Sequence, residues 1–273
     1  MSALRAFRIL AVEAWRDGLR RRLGFAVAVV LAIGLAGAQT CTQLGVGTID
    51  VNGEPIDGRV VGGFLAPILF TIQAWAVLAI AGLLASDHLA RPLADGSAVT
   101  WLARPVSRAT WVAARLAGVL AVALACGALL LGGTGAMLVA RQGVAVAPAL
   151  LAAGATALGA CVVAAFAMAA SLAIGRTAVL LLVLLGLAFV AFANGVGLAT
   201  ELVHPDVQVG GLVGAVDRFG PPLFTAIAGA VARWNPHVDT GDTYAQSMVR
   251  LALWGAGALA LLVAAFRNHE IES

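Results

Sequence analysis

Apolar residues fill six long windows of the chain, and polar residues gather almost entirely between them. The windows run at about 23–40, 60–86, 111–140, 148–174, 177–199 and 247–266. About 20 apolar residues at ~1.5 Å rise cross a ~30 Å hydrocarbon core, so each window predicts a spanning helix. The third exceeds what a bilayer needs, and its first turns are expected to project into water. Pro67 is expected to kink the second near its outer end. Ahead of the first window, Ala3, Leu4, Phe7, Ala11, Ala14 and Trp15 recur at three- and four-residue steps, with Arg5, Arg8, Glu13, Arg16 and Asp17 largely between them. That period predicts a cytoplasmic amphipathic entry helix over 1–22, lying along the inner membrane face. The longest segment that does not span, 200–246, holds "PPLFTAIAGAVARW". This run is too short to cross and fits a short interfacial or re-entrant helix. Residues 1–273 therefore read as one all-α, polytopic membrane domain with six transmembrane helices.

The stretch "LADGSAVTWLARPVSRATWVAARLAG", 93–118, interrupts this pattern with charge, a Gly and a Pro. Asp95 is expected to N-cap a short helix with Ala98, Val99 and Leu102 on one face and Ser97 and Thr100 beside it. Pro105 forces the preceding residue out of helical geometry, ending that helix near Arg104. Ser107 is then placed to cap the third span. A short helix with one apolar stripe cannot make a core of its own and has the size to dock into a partner's groove. Trp101 reads as a docking anchor and Trp111 as an interfacial belt residue. Arg104 and Arg108 would meet either an acidic groove or the inner leaflet surface.

Charge sets the orientation. With the N-terminus inside, Arg5, Arg8, Arg16, Arg20, Arg21, Arg22, Arg91, Arg104, Arg108, Arg115, Arg176 and Arg267 lie in inner segments, and Arg59, Arg141, Arg218, Arg233 and Arg250 in outer ones. This bias follows the positive-inside rule and puts both termini in the cytoplasm. Hydrophobic residues make up 61% and charged residues 11%, against about 25% charged in a soluble domain. The net charge of +3 is explained by residues flanking apolar runs and gives no reason to expect nucleic acid. A cleaved export signal ending at Ala38 is the rival reading of the N-terminus; the long patterned region before it favours a retained first span.

The chain has no Lys among its 17 basic residues, which excludes a Walker A lysine and Schiff-base chemistry. Neither H-E-x-x-H nor G-x-S-x-G occurs, and no His falls in a predicted span to activate Ser171, so the chain is not expected to be an enzyme. Cys126 and Cys161 lie in apolar runs and are expected to pack; Cys41 has no evident partner. Gln73, Thr134 and Asn194 are candidate pathway residues, although such groups more often hydrogen-bond a neighbouring helix. No carboxylate sits deep in a predicted span, which weighs against the alternative of an ion-coupled secondary carrier. His204 with Asp206, and His237 with Asp239 near Asp242, could ligate a metal, but their spacing does not demand it, and no metal or other cofactor is expected in the chain. Gly127, Gly132 and Gly135 could form a small-residue dimer face.

The run from Gly96 to Gly118 resembles the ABC-2 type transporter permeases, in which a loop after the second span carries glycine-threonine, a hydrophobic pair, a basic-Pro-Val-Ser-Arg element and a basic-x-x-Gly element. Here these are Gly96-Ser97, Trp101-Leu102, Arg104-Pro105-Val106-Ser107-Arg108 and Arg115-Leu116-Ala117-Gly118. Ser97 departs from the commoner threonine, and no glutamate cluster precedes Gly96. "AVEAWRDGLRRRLGF", with Glu13 in the acidic position, is similar to the family's entry helix, and "AFRNHEIES" to its tail. The resemblance implies a permease subunit of a bacterial inner membrane, paired with a second permease subunit as homo- or heterodimer. It implies ATP and magnesium bound by a separate ATP-binding subunit, which would contact segment 87–110 through Asp95, Gly96, Val99, Trp101, Leu102, Arg104, Pro105 and Arg108. It implies export, with the extracytoplasmic loop helices closing the far side. The alternative is a non-transporting scaffold that passes ATP-driven motion to an extracytoplasmic accessory protein.

Overall fold

A bilayer core offers no water to the backbone, so an apolar run crosses it only as a helix or in a closed barrel. The computed structural model describes residues 3–20, 22–44, 48–51, 54–96, 106–203, 209–234 and 241–268. The elements are α1 (Ala3–Arg20), α2 (Arg22–Leu44), β1 (Thr48–Val51), β2 (Glu54–Asp57), α3 (Gly58–His88) and the short α4 (Ala90–Ala94). There follow α5 (Arg108–Gly127), a π-helical turn (Ala128–Gly132), α6 (Gly133–Gln142), α7 (Val146–Ser171), α8 (Arg176–Val203), α9 (Gly211–Phe219), α10 (Leu223–Ala232) and α11 (Gly241–Asn268).

Five stretches are long and apolar enough to cross a membrane: Pro67–Ala94, Arg108–Gln142, Val146–Ser171, Arg176–Thr200 and Tyr244–Asn268. The chain is a helical, multi-pass membrane protein. The first predicted window is helical in α2, but its described apolar stretch, Val27–Gln43, is shorter than the others. Among the described residues, length and composition thus give five spans where the apolar windows predict six. The third is a continuous 35-residue rod, longer than a bilayer requires. α3 runs on both sides of Pro67, and the Thr71 hydroxyl donates to the Pro67 carbonyl at 2.8 Å.

The one non-helical element among the described residues, not anticipated from the apolar windows, is the antiparallel hairpin. It pairs Thr48 with Asp57 and Val51 with Glu54. Asn52 and Gly53, themselves outside the described residues, are the residue pair most favoured between hairpin strands.

Lipid is as apolar as leucine, so helices in it associate through close packing rather than water exclusion. α3, α5 and α7 form the centre, and small residues let them approach. α7 buries Ala149, Ala152, Ala155, Gly159, Ala160, Ala164 and Ala167. A Cβ at Gly159 would meet Leu223 at 2.9 Å and Leu78 at 3.1 Å. Gly127 faces Val77 at 3.3 Å, and Gly135 faces Ala149 at 3.3 Å. Two of the three glycines assigned to a dimer face are therefore spent inside the chain; only Gly132 has open space. α8 and α11 are peripheral, with 22% and 28% of their spanning windows buried against about half for the other three. Their outward residues, including Leu181, Leu185, Phe192 and Leu253, are exposed and apolar, as lipid contact requires.

The entry helix forms, and Phe7, Ala11 and Ala14 of the expected stripe pack inward. α1 packs on α5 through Ala6, Leu10 and Ala14, whereas Leu4 and Trp15, expected on the apolar stripe, are exposed. Gly118 permits the contact, because a Cβ there would meet the Ala11 carbonyl oxygen and the Trp15 nitrogen at 3.0 Å each. Gly118→Val should cost about 1–3 kcal/mol by overpacking, measured as a lowered thermal midpoint of the detergent-solubilised chain; an unchanged midpoint would show that α1 is not seated on α5.

Candidate functional site

The helix ends at the arginine-rich side carry a polar cluster. α3 ends in Asp87 and His88, both buried, and α4 follows at once. Asp95 stands at the C-terminal end of α4, its N–H bonded to the Arg91 carbonyl. It therefore closes one short helix; the helix it is expected to open lies outside the described residues. Gly96 follows at φ +73°, the left-handed geometry that glycine adopts at helix ends. Segment 97–105 lies outside the described residues, and with it Val99, Trp101, Leu102, Arg104 and Pro105. On its far side Ser107 caps α5 as expected, its hydroxyl accepting from the Thr110 N–H at 3.1 Å. Arg108 is exposed and reaches the Arg267 carbonyl of α11 at 3.4 Å.

One turn further on, Arg115 is 3% exposed. A buried guanidinium is costly unless paired. It lies 3.6 Å from Asp17 of α1, and its charge sits 5.3 Å from the Trp111 ring centroid. Trp111 stacks on Phe266 of α11 at 5.3 Å. It is fully buried and so is a core residue, not the belt residue its position at a helix start predicts; α1 and α11 cover what would otherwise be interface. A second ion pair joins Asp87 to Arg176 of α8 at 3.6 Å. Asp87 sits immediately past the apolar window, so the expectation that no acid lies deep in the bundle is narrowed: one is buried at its very end. The spacing of Arg108, Trp111 and Arg115 at i, i+3 and i+7 was the available signal for a shared stripe; their partners on α1 and α11 are distant in sequence.

The three candidate pathway residues are occupied by helix packing. The Gln73 amide donates to the Gly34 carbonyl of α2 at 3.0 Å and accepts from the Thr134 hydroxyl of α6 at 2.8 Å. Asn194 donates to Asp217 of α9 at 3.3 Å and accepts from the Phe224 N–H of α10 at 3.3 Å. All three are buried. The first group ties α3 to α2 and α6; the second holds the two short helices of the 200–246 loop.

Those short helices are seated by a further set that the sequence pattern did not single out. Arg250 donates to the carbonyls of Asp217, Arg218 and Gly220 at 2.9, 2.7 and 3.1 Å, a basic cap on the C-terminal end of α9. The Trp254 indole donates to the Phe219 carbonyl at 3.2 Å. α10 buries Leu223, Ala226, Ile227, Ala230 and Val231. Burial raises the Asp217 carboxyl above the usual carboxylate range, against lowering by the Asn194 bond and by Arg250 and Arg218. Two apolar clefts flank α8. One of about 540 Å³ lies between α3, α8 and α10, lined by Pro67, Ile68, Thr71, Trp75, Phe224 and Val231. The other, about 280 Å³, lies between α7 and α8.

His204 and Asp206, and His237 and Asp239, lie outside the described residues; among the described residues no group of three or more His, Cys, Asp or Glu could hold a metal ion. The cysteines are free, Cys126 buried and Cys41 and Cys161 half-buried. Comparison with known proteins finds no family model and no curated protein that matches this chain.

Two outcomes test this site. If Gln73 only joins helices, Gln73→Leu should lower the thermal midpoint by an amount equivalent to about 1 kcal/mol and leave any transport rate within about twofold; a tenfold loss of rate at unchanged stability would make it a pathway group. Because the folded pKa of Asp217 is raised, its contribution to stability is fully present below the ordinary carboxylate pKa and is lost as pH rises through the folded value. Asp217→Asn should therefore equal or exceed the native midpoint at pH 7.5, with the gain vanishing in acid; thermal denaturation across pH checks the sign.

Proposed function

We propose that the chain is the permease subunit of an ABC transporter of the bacterial inner membrane. It crosses six times with both termini in the cytoplasm, pairs with a second permease subunit, and is driven by a separate subunit that binds ATP and magnesium. The observation that carries this reading is the bracing on both sides of 97–105. The chain enters that segment from α3 and α4, where Asp87 is paired across to α8, and leaves it through α5, where Arg108, Trp111 and Arg115 reach α1 and α11. A push on 97–105 would thus be delivered to the ends of six helices at once. The lack of any Lys in this sequence supports the reading, since a Walker A lysine cannot lie within it and ATP hydrolysis would fall to a separate subunit.

The path of α2 supports a sixth crossing. Gly34 lies beside Gln73 and Gly37 beside Leu69, so α2 runs antiparallel to α3 over this length. At its end Thr42 and the Gln39 carbonyl accept from Arg141 at the end of α6, at 3.0 and 3.3 Å. Those two helices finish on the same side, opposite the coupling cluster. The arginine bias makes the cluster's side cytoplasmic.

The cargo favoured is apolar or lipid-like, since the polar groups at depth are engaged between helices and the clefts beside α8 are hydrocarbon-lined. The same engagement favours the second reading, a scaffold that passes ATP-driven motion to an extracytoplasmic protein. Affinity purification of the full chain should bring down a nucleotide-binding subunit, and Trp101→Asp or Leu102→Asp should reduce its recovery at least tenfold. Recovery unaffected by both changes overturns the docking assignment. In vesicles holding the complex, ATP-dependent movement of a lipid probe identifies a permease, ATP turnover without movement a scaffold, and dependence on an ion gradient alone a carrier.

A further inference from the structure

α1 turns its acids towards the bundle and its bases away from it. At about 100° per residue, Ala6, Leu10, Ala14 and Asp17 share one side, and this side is packed on α5. Asp17 pairs with Arg115, and Glu13 has a carboxylate oxygen shielded from solvent. The opposite side carries Leu4, Arg5, Arg8, Ile9, Val12, Trp15 and Arg16, all exposed. Among the described residues that side holds three guanidinium groups, four apolar side chains and no carboxylate. Arginine stems lie along apolar surface while the head stays at the interface, and a helix with interleaved Arg, Trp and Leu sinks its apolar groups to the headgroup boundary. The docking on α5 fixes the helix rotation, so this face cannot turn to another surface without breaking the Gly118 contact.

We propose that the outward face of α1 is a binding surface for anionic lipid headgroups of the adjacent leaflet, with Arg5, Arg8 and Arg16 as the contacting residues. The occupant follows from charge complementarity: Glu13 is shielded and the half-exposed Asp17 is held by Arg115, while the bases that attract a phosphate are left outward among groups that enter the acyl boundary. A basic side chain near an anionic surface contributes about 1 kcal/mol, or about fivefold in lipid preference per arginine. The proposal requires only that the chain sits in a bilayer, and it stands or falls separately from the permease reading.

The test uses the full chain reconstituted in vesicles of equal phosphatidylcholine and phosphatidylglycerol, re-extracted in mild detergent, with retained lipid counted by headgroup. The native chain should enrich phosphatidylglycerol. Changing Arg5, Arg8 and Arg16 to Gln one after another should lower the enrichment by up to about fivefold per step. The triple Arg→Lys variant should keep it, and Arg233→Gln at the other end should not alter it. Enrichment undiminished in the triple Gln variant overturns the proposal. So does displacement of the lipid by soluble glycerol phosphate, which would mark a free-anion site. Loss of a co-purifying protein from the triple Gln variant, with lipid enrichment intact, would assign the face to an acidic protein and overturn it equally.

Discussion

Within hydrocarbon a polar side chain has no water to fall back on, and the packing of this bundle is organised around that constraint. Gln73 makes the point. Its amide meets a backbone carbonyl of α2 on one side and a hydroxyl of α6 on the other. Three helices must keep their register for one side chain to remain satisfied. The bonds are individually weak, about 1 kcal/mol or less in membranes, yet they are directional where alanine and glycine contacts are not. The small residues let the helices approach; the few polar ones decide which helices meet and at what height. Asn194 has the same role for the two short helices, which have too little apolar surface to hold their own position.

The two ends of the bundle are held by different chemistry. At the arginine-rich end the ties run between side chains: Asp17 to Arg115, Asp87 to Arg176, and the Arg115–Trp111–Phe266 stack. At the other end Arg250 and Trp254 donate to backbone carbonyls of α9 and its exit. A side-chain ion pair tolerates small changes of helix angle, because both partners have several rotatable bonds. A guanidinium gripping three carbonyls of a helix terminus fixes one element in one place. The first end can therefore transmit displacement while staying connected, and the second sets the short helices against α8 and α11 as a unit.

Much of the helical layout was legible in the sequence because hydropathy windows report single-helix properties. The start of α5 at its Ser107 cap and the place of α10 follow from local chemistry alone. What was not legible depends on partners remote in sequence. Trp111 at a helix start looks like a belt residue; only α1 and α11, which lie over it, make it core. Asp95 also closes a short helix, Ala90–Ala94, that no apolar window announces. The stripe on α1 was placed only in part: Phe7, Ala11 and Ala14 pack inward as expected, but the buried side extends to Ala6 and Leu10 rather than to Leu4 and Trp15, with α5 approaching closely at Ala11 and Ala14 through Gly118.

That misplacement has a physical consequence for how the chain meets its membrane. A helix that buried Leu4 and Trp15 would turn Ala6, Leu10, Glu13 and Asp17 outward and would present acids, not arginines, to the bilayer. With Ala6, Leu10 and Ala14 used against α5, Leu4, Ile9, Val12 and Trp15 remain outside, where a lipid boundary stabilises them. The entry helix is thus held twice, by close backbone packing on one side and by the bilayer on the other. Because Asp17 joins it to Arg115 in the same stripe as Arg108 and Trp111, a movement of the first turns of α5 must either drag α1 along the membrane surface or break the pair that holds the buried Arg115. Dragging α1 leaves its lipid contacts intact, whereas breaking the pair leaves a buried guanidinium without its carboxylate. The lower-energy course is for both helices to move together.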